Sequence, residues 1–241
     1  MVRTLLVRGL LLGLLAGLIA GGFAFVFGEP RVDSAIAWEE ALVEGAGHDH
    51  GNAAVVGRAG QKAALFLATG LYGLAVGGVF ALVFAGLRGR VGPRSDGGLA
   101  LAVAGTAFVA VILVPFLKYP ANPPAVGDPE TISGRTLLYV VMILVGLVAT
   151  VIAVATARRV SGGPWARWAA AVTAFLVPVI AAWLLLPTVD EVPKGFPATL
   201  LWEFRLASLG TQLVFWTAFG VLFGWVGDRA SRVAAAPVAA G

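Results

Sequence analysis

No cysteine occurs among the 241 residues, which excludes a disulfide framework, a thiolate metal site and a thiol nucleophile. Charge is almost as scarce. Asp, Glu, Lys and Arg make up 12% of the chain against 59% apolar residues, before its 32 glycines are counted. A soluble globular domain carries about 25% charged residues, so a water-exposed surface is excluded, and the mean hydropathy of +0.91 agrees. The recognisable catalytic and nucleotide-binding patterns are also missing. No phosphate-binding loop or Rossmann glycine pattern sits at a strand-to-helix junction, and no His-Glu-x-x-His or nucleophile elbow appears. ATP-driven transport by this chain alone is not expected, nor is an enzyme or a permanently bound cofactor.

What is present is six long apolar segments: Leu5 to Phe27, Ala63 to Leu87, Leu99 to Leu117, Leu137 to Ala157, Ala166 to Leu186 and Leu206 to Val226. Each reaches the roughly 20 residues that a helix needs to cross about 30 Å of hydrocarbon. A barrel would need many segments of about 10 residues alternating in polarity, and these runs are apolar on all sides. Lipid satisfies no backbone hydrogen bond, so the spans must be helices. The fold class is all-α, a polytopic integral membrane bundle of about six helices forming one membrane domain over 1–241.

Orientation follows from the placement of cations in alternate connections. One side holds ten arginines (Arg3, Arg8, Arg88, Arg90, Arg94, Arg158, Arg159, Arg167, Arg229 and Arg232) against Asp96 and Asp228. The other side holds eleven carboxylates against seven cations. Both termini are therefore expected in the cytoplasm, and the net charge of +4 is topological rather than a nucleic-acid footprint. Arg3 and Arg8 ahead of an apolar run also fit a signal peptide. That run is longer than a signal core and no small-x-small site follows it, so the first helix is expected to be retained.

Gly9, Gly13, Gly17 and Gly21 recur every four residues and line one helix face. Such a stripe lets a second helix approach closely in lipid, where small residues supply packing. Gly73 and Gly77 in the second span, and Gly220 and Gly224 in the sixth, could play the same part, and Gly-rich helix faces could also join copies in an oligomer.

The acidic side gathers the candidate chemistry. Its longest connection, residues 28–61, contains both histidines of the chain in His48-Asp49-His50, preceded by Glu40 and Glu44. Imidazole with neighbouring carboxylates suits divalent transition ions, and Glu40 and Glu44 would share a face if this stretch is helical. A solvated polar loop has the same composition. The second connection, 118–135, belongs to a stretch from Pro115 to Ile132 that packs five prolines, and it reads as a rigid ordered cap carrying Asn122, Asp128 and Glu130, although a turn explains Asp128-Pro129 equally well. The third, 187–205, runs into Glu203 and Arg205, which are expected to pair with each other or with Glu29. Pro30-Arg31-Val32-Asp33 and Pro187-Thr188-Val189-Asp190 look alike and hint at repeated helical hairpins. Within the spans the polar side chains include Tyr72, Thr106, Thr150, Thr173, Thr211 and Gln212, and ionisable groups are almost absent, so no ion is identified from the interior.

Several of these segments together resemble the CbtA family of proposed cobalt transporter subunits: Gly28-Glu29-Pro30-Arg31-Val32-Asp33-Ser34-Ala35-Ile36-Ala37, Glu39-Glu40-Ala41, His48-Asp49-His50, the stretch from Leu117 to Thr131, and Leu201-Trp202-Glu203-Phe204-Arg205. The resemblance covers nearly the whole chain. It implies a bacterial inner-membrane subunit for uptake of cobalt(II), linked to cobalamin metabolism and working with a small single-span CbtB-like partner. Metal capture would then fall to His48, His50, Asp49, Glu40 and Glu44, with Asn122, Asp128, Glu130 and Glu203 along the ion path or its cap. A non-transporting scaffold, a nickel transporter and a membrane enzyme remain the alternatives.

Overall fold

A computed structural model describes residues 2–45 and 57–235. Among them no strand forms, and six helices are long and apolar enough to cross a membrane: Val2–Val43, Arg58–Leu87, Asp96–Lys118, Pro129–Arg159, Pro164–Leu185 and Ala198–Val233. The protein is a multi-pass α-helical membrane protein, as its composition requires. Its elements are α1 (Val2–Phe23), α2 (Glu29–Gly45), α3 (Arg58–Leu87), α4 (Asp96–Ala107), α5 (Val114–Lys118), α6 (Ile132–Arg159), α7 (Pro164–Leu185) and α8 (Ala198–Ala235).

The helices overrun the apolar stretches. The first continues as helix through residues 29–45, which the sequence reading placed in a loop. Proline sets the local geometry twice. Pro30 and Pro115 lack the N–H that an α-turn needs, and each follows a wider π-turn, Ala24–Gly28 and Phe108–Leu113. There Glu29 N–H donates to Ala24 O and Val114 N–H to Val109 O, so the register shifts without breaking the helix.

The chain divides into two compact units, one of residues 2–30, 57–105 and 210–235 and the other of residues 31–45 and 106–209. In the first, α1 and α3 pack antiparallel along the glycine stripe. A Cβ on Gly9 would overlap Gly77 O, one on Gly13 would overlap Gly73 O, and one on Gly17 would overlap Thr69 O. Close backbone approach replaces large side chains here because lipid does not drive apolar groups together. Likewise, a Cβ on Gly220 would lie 2.9 Å from Ala104 Cβ and one on Gly224 3.0 Å from Gly97 Cα, bringing α8 onto α4. Between these contacts stands an aromatic core, with Phe80 edge-on to Phe219 at 4.7 Å and Phe84 edge-on to Phe223 at 5.0 Å.

The two aspartates of the basic side both serve this packing. Asp96, buried at 8% exposure, accepts two hydrogen bonds from Arg88 at 2.7 and 2.6 Å and one from Ser231 at 3.1 Å. Asp228 accepts the N–H of Gly97 at 2.8 Å, satisfying an orphan donor at the start of α4.

In the second unit α6 and α7 form a hairpin, and Gly146 of α6 lies against the backbone of Ala110. No residue of α7 is buried, so its apolar side chains, Leu184 and Leu185 among them, are left to the surroundings that suit them, lipid tails.

Candidate functional site

Three acidic stretches converge in the second unit: α2, the connection from α5 to α6, and the connection from α7 into α8. Two tight turns bring them together. Val126 N–H donates to Pro123 O at 3.2 Å and Phe196 N–H to Pro193 O at 3.1 Å. The third residue of each turn has positive φ, +66° at Ala125 and +87° at Gly195, as a type II turn requires. Each turn delivers its last residue, Val126 or Phe196, into a buried cluster with Ala35 of α2. Trp38, one turn further along α2, lies edge-on to Phe196 at 4.8 Å.

Polar contacts lock the same assembly. Glu191 accepts the N–H of Asp128 at 2.9 Å and lies 3.4 Å from Arg135 Nε. The Asp128 N–H first, then the Thr131 hydroxyl and the Arg135 charge, hold the Glu191 carboxyl below the usual carboxylate range. Arg135 also donates to Asp128 O at 3.1 Å. Its guanidinium leaves no room for a Cβ at Gly127, whose φ is +112°. Arg205 donates to Asn122 Oδ1 at 2.9 Å and to Ala121 O at 3.3 Å. Tyr119 donates to Pro187 O at 2.8 Å, and burial raises its hydroxyl pKa. Lys118 donates to Trp183 O at 2.8 Å. Together these contacts tie the two proline-rich connections to each other and to α2.

The cap carries more negative than positive charge. Residues 31–45, 118–135 and 187–209 carry nine carboxylates against five cations. Four of the five cations, Arg31, Lys118, Arg135 and Arg205, are engaged with oxygens inside the unit, whereas Glu39, Glu40, Asp128, Glu130 and Asp190 are exposed. A surface of this kind concentrates cations near it.

The sequence-derived site residues divide accordingly. Asn122 is a half-buried acceptor for Arg205. Asp128 Oδ1 accepts the N–H of Glu130 at 2.9 Å and so caps the short turn Pro129–Thr131. Glu130 and Glu40 are exposed, and the α2 backbone sets Glu40 and Glu44 one helical turn apart. His48, Asp49, His50 and the side chain of Glu44 lie outside the described residues. Among the described residues no group of three His, Asp or Glu side chains is close enough to hold a metal ion. Two expectations are corrected. Glu203 pairs with Arg31 at 3.4 Å, not with Arg205 or Glu29, because α2 continues as a helix and carries Arg31 to it; Glu29 binds Arg58 at 2.6 Å. The likeness of 30–33 to 187–190 is not a structural repeat, since the first is helical and the second has no regular secondary structure. Within the spans Thr150 bonds back to Gly146 O at 2.9 Å, while Thr106 and Thr173 are exposed.

Glu191 and Arg135 organise the cap and were not singled out from sequence, where they read only as loop charges. The two prolines with positive-φ residues two positions on, Pro123 and Pro193, were the available signal.

The family model described as "Probable cobalt transporter subunit (CbtA)" matches residues 2–228. No curated protein and no solved structure matches the chain. With that match running through every helix of both units, the chain belongs to the CbtA family of probable cobalt transporter subunits.

Proposed function

We propose that this chain is the membrane subunit through which cobalt(II) is taken up, with capture at the carboxylate-rich cap on the extracytoplasmic side of a bacterial inner membrane. The match to the family over residues 2–228 carries the reading. The cap supports it: its cations are largely engaged within the unit while Glu39, Glu40, Asp128, Glu130 and Asp190 are exposed. Helix α2 leads from Glu40 and Glu44 toward His48-Asp49-His50, a donor set of imidazole nitrogens and carboxylate oxygens that suits Co²⁺. In this reading cobalt is cargo, the chain holds no resident cofactor and performs no catalysis, both termini are cytoplasmic, and a small single-span CbtB-like subunit completes the transporter. The supply of cobalt serves cobalamin metabolism.

A second reading, a non-transporting assembly subunit, is favoured by one observation: Asn122, Asp128 and Glu203 are each held in contacts that build the cap. The two part in one experiment. Cells lacking other cobalt importers and expressing the chain with its small partner should accumulate labelled cobalt, and His48→Ala/His50→Ala at equal membrane abundance should accumulate less. A properly inserted chain that gives no accumulation would leave the assembly reading.

A further inference from the structure

In the first unit α1 and α8 meet near Phe23, where a Cβ on Gly210 would lie 2.9 Å from the phenyl ring. At the start of α1 they leave between them a groove of about 580 Å³, walled on the far side by Val226 of α8. Two rows of α1 residues line it. Arg3, Val7 and Leu11 follow one another at four-residue spacing, as do Thr4, Arg8 and Leu12, so the members of each row are neighbours on the helix surface. Each row covers about 12 Å and passes from polar to apolar, with guanidinium and hydroxyl groups near the helix start and leucines further in. Beyond the groove the first row continues as Leu15 and Ile19, both exposed, as Val7 and Leu11 are.

No carboxylate lines the groove. The basic side has two, Asp96 and Asp228, and both are engaged elsewhere, Asp96 with Arg88 and Ser231 and Asp228 with the N–H of Gly97. Arg3 is exposed and Arg8 half-buried, and among the described residues neither has an ion pair or a hydrogen bond. Retention of positive charge during insertion explains cations at this end of the helix, but a half-buried guanidinium still needs an anion. The depth of the groove is marked by Trp225, which is exposed beside Val226 and carries Arg229 over its ring at 5.7 Å; tryptophan at the end of a span lies at the level of the lipid headgroups. An amphiphile with an anionic head and an apolar tail completes both rows at once, since its phosphate accepts hydrogen bonds from guanidinium groups and its tail covers the exposed leucines. We infer that this groove holds an anionic phospholipid, with its phosphate against Arg3 and Arg8 and one acyl chain along Val7, Leu11 and Leu15. Two unpaired cations favour a lipid of net negative charge over a zwitterionic one.

The test titrates the purified full chain in detergent with phosphatidylglycerol or with phosphatidylcholine of the same acyl chains, and reads bound lipid by native mass spectrometry. The wild type should bind phosphatidylglycerol the more tightly. Arg3→Gln/Arg8→Gln should weaken phosphatidylglycerol about thirtyfold, equivalent to about 2 kcal/mol for two arginines, and leave phosphatidylcholine unchanged. Val7→Trp fills the groove with both arginines in place and should weaken phosphatidylglycerol as well. Arg94→Gln/Arg159→Gln removes the same charge from two exposed positions outside the groove and should have no effect. Equal affinity of the wild type for the two lipids overturns the site. So does an equal loss in Arg94→Gln/Arg159→Gln, which would mean diffuse attraction to a basic surface, and so does undiminished binding to Val7→Trp, which would place the lipid outside the groove.

Discussion

Glu191 accepts the backbone N–H of Asp128 at 2.9 Å, 63 residues earlier in the chain, and so ties the two proline-rich connections of the second unit together. Its carboxyl is held below the usual range by that N–H, by Thr131 and by Arg135. A carboxyl whose folded pKa is depressed contributes stability above its unfolded value, and that contribution is lost as pH falls through the folded one. The cap should therefore stay ordered down to about pH 4, the ordinary carboxylate value, and loosen only on further acidification. Amide exchange of residues 118–135 against pH should show this dependence in the wild type, and Glu191→Gln should weaken it and raise exchange at neutral pH.

Gly13 touches the α3 backbone so closely that a Cβ would overlap Gly73 O, whereas nothing lies within 4 Å of a Cβ on Gly22. Overpacking of a tight contact costs about 1–3 kcal/mol. Gly13→Ala should lower the free energy of unfolding in mixed detergent by that amount, and Gly22→Ala should leave it unchanged; equal effects would show that the glycine stripe is not the contact that matters.

Ala125 holds φ at +66° and Gly195 at +87° in equivalent places of the two turns. An L-residue pays for this conformation and glycine does not. Ala125→Gly should stabilise the cap by up to about 1 kcal/mol, and Gly195→Ala should destabilise it by about 1–2 kcal/mol. Protection of residues 118–135 and 187–197 from limited proteolysis reads both, with opposite signs expected.

Membrane character was legible from sequence because hydrocarbon admits only segments of the right length and polarity, and all six apolar runs became spanning helices. The stripe of Gly9, Gly13 and Gly17 was equally legible, but spacing within one helix does not name the facing one, and only the structure pairs it with Gly73 and Gly77 of α3. The continuation of the first helix through residues 29–45 was hidden by polar composition, which reads as loop although a helix outside lipid tolerates it. Glu191 was hidden because its donors come from a distant connection. Alanine at 125 carries no turn signal of its own, so the paired turns showed only once both delivered their last residue to Ala35. The Glu203 partner was misread for the same reason as the loop: Arg31 reaches it only from a helix.

Net cobalt flux through the purified chain and its small partner in sealed liposomes, followed by a trapped cobalt-quenched dye, tests the central claim most directly. The uptake account predicts a saturable flux above protein-free liposomes that falls when His48 and His50 are replaced by alanine. Flux no greater than that of protein-free liposomes, from correctly inserted protein with its partner present, would contradict it.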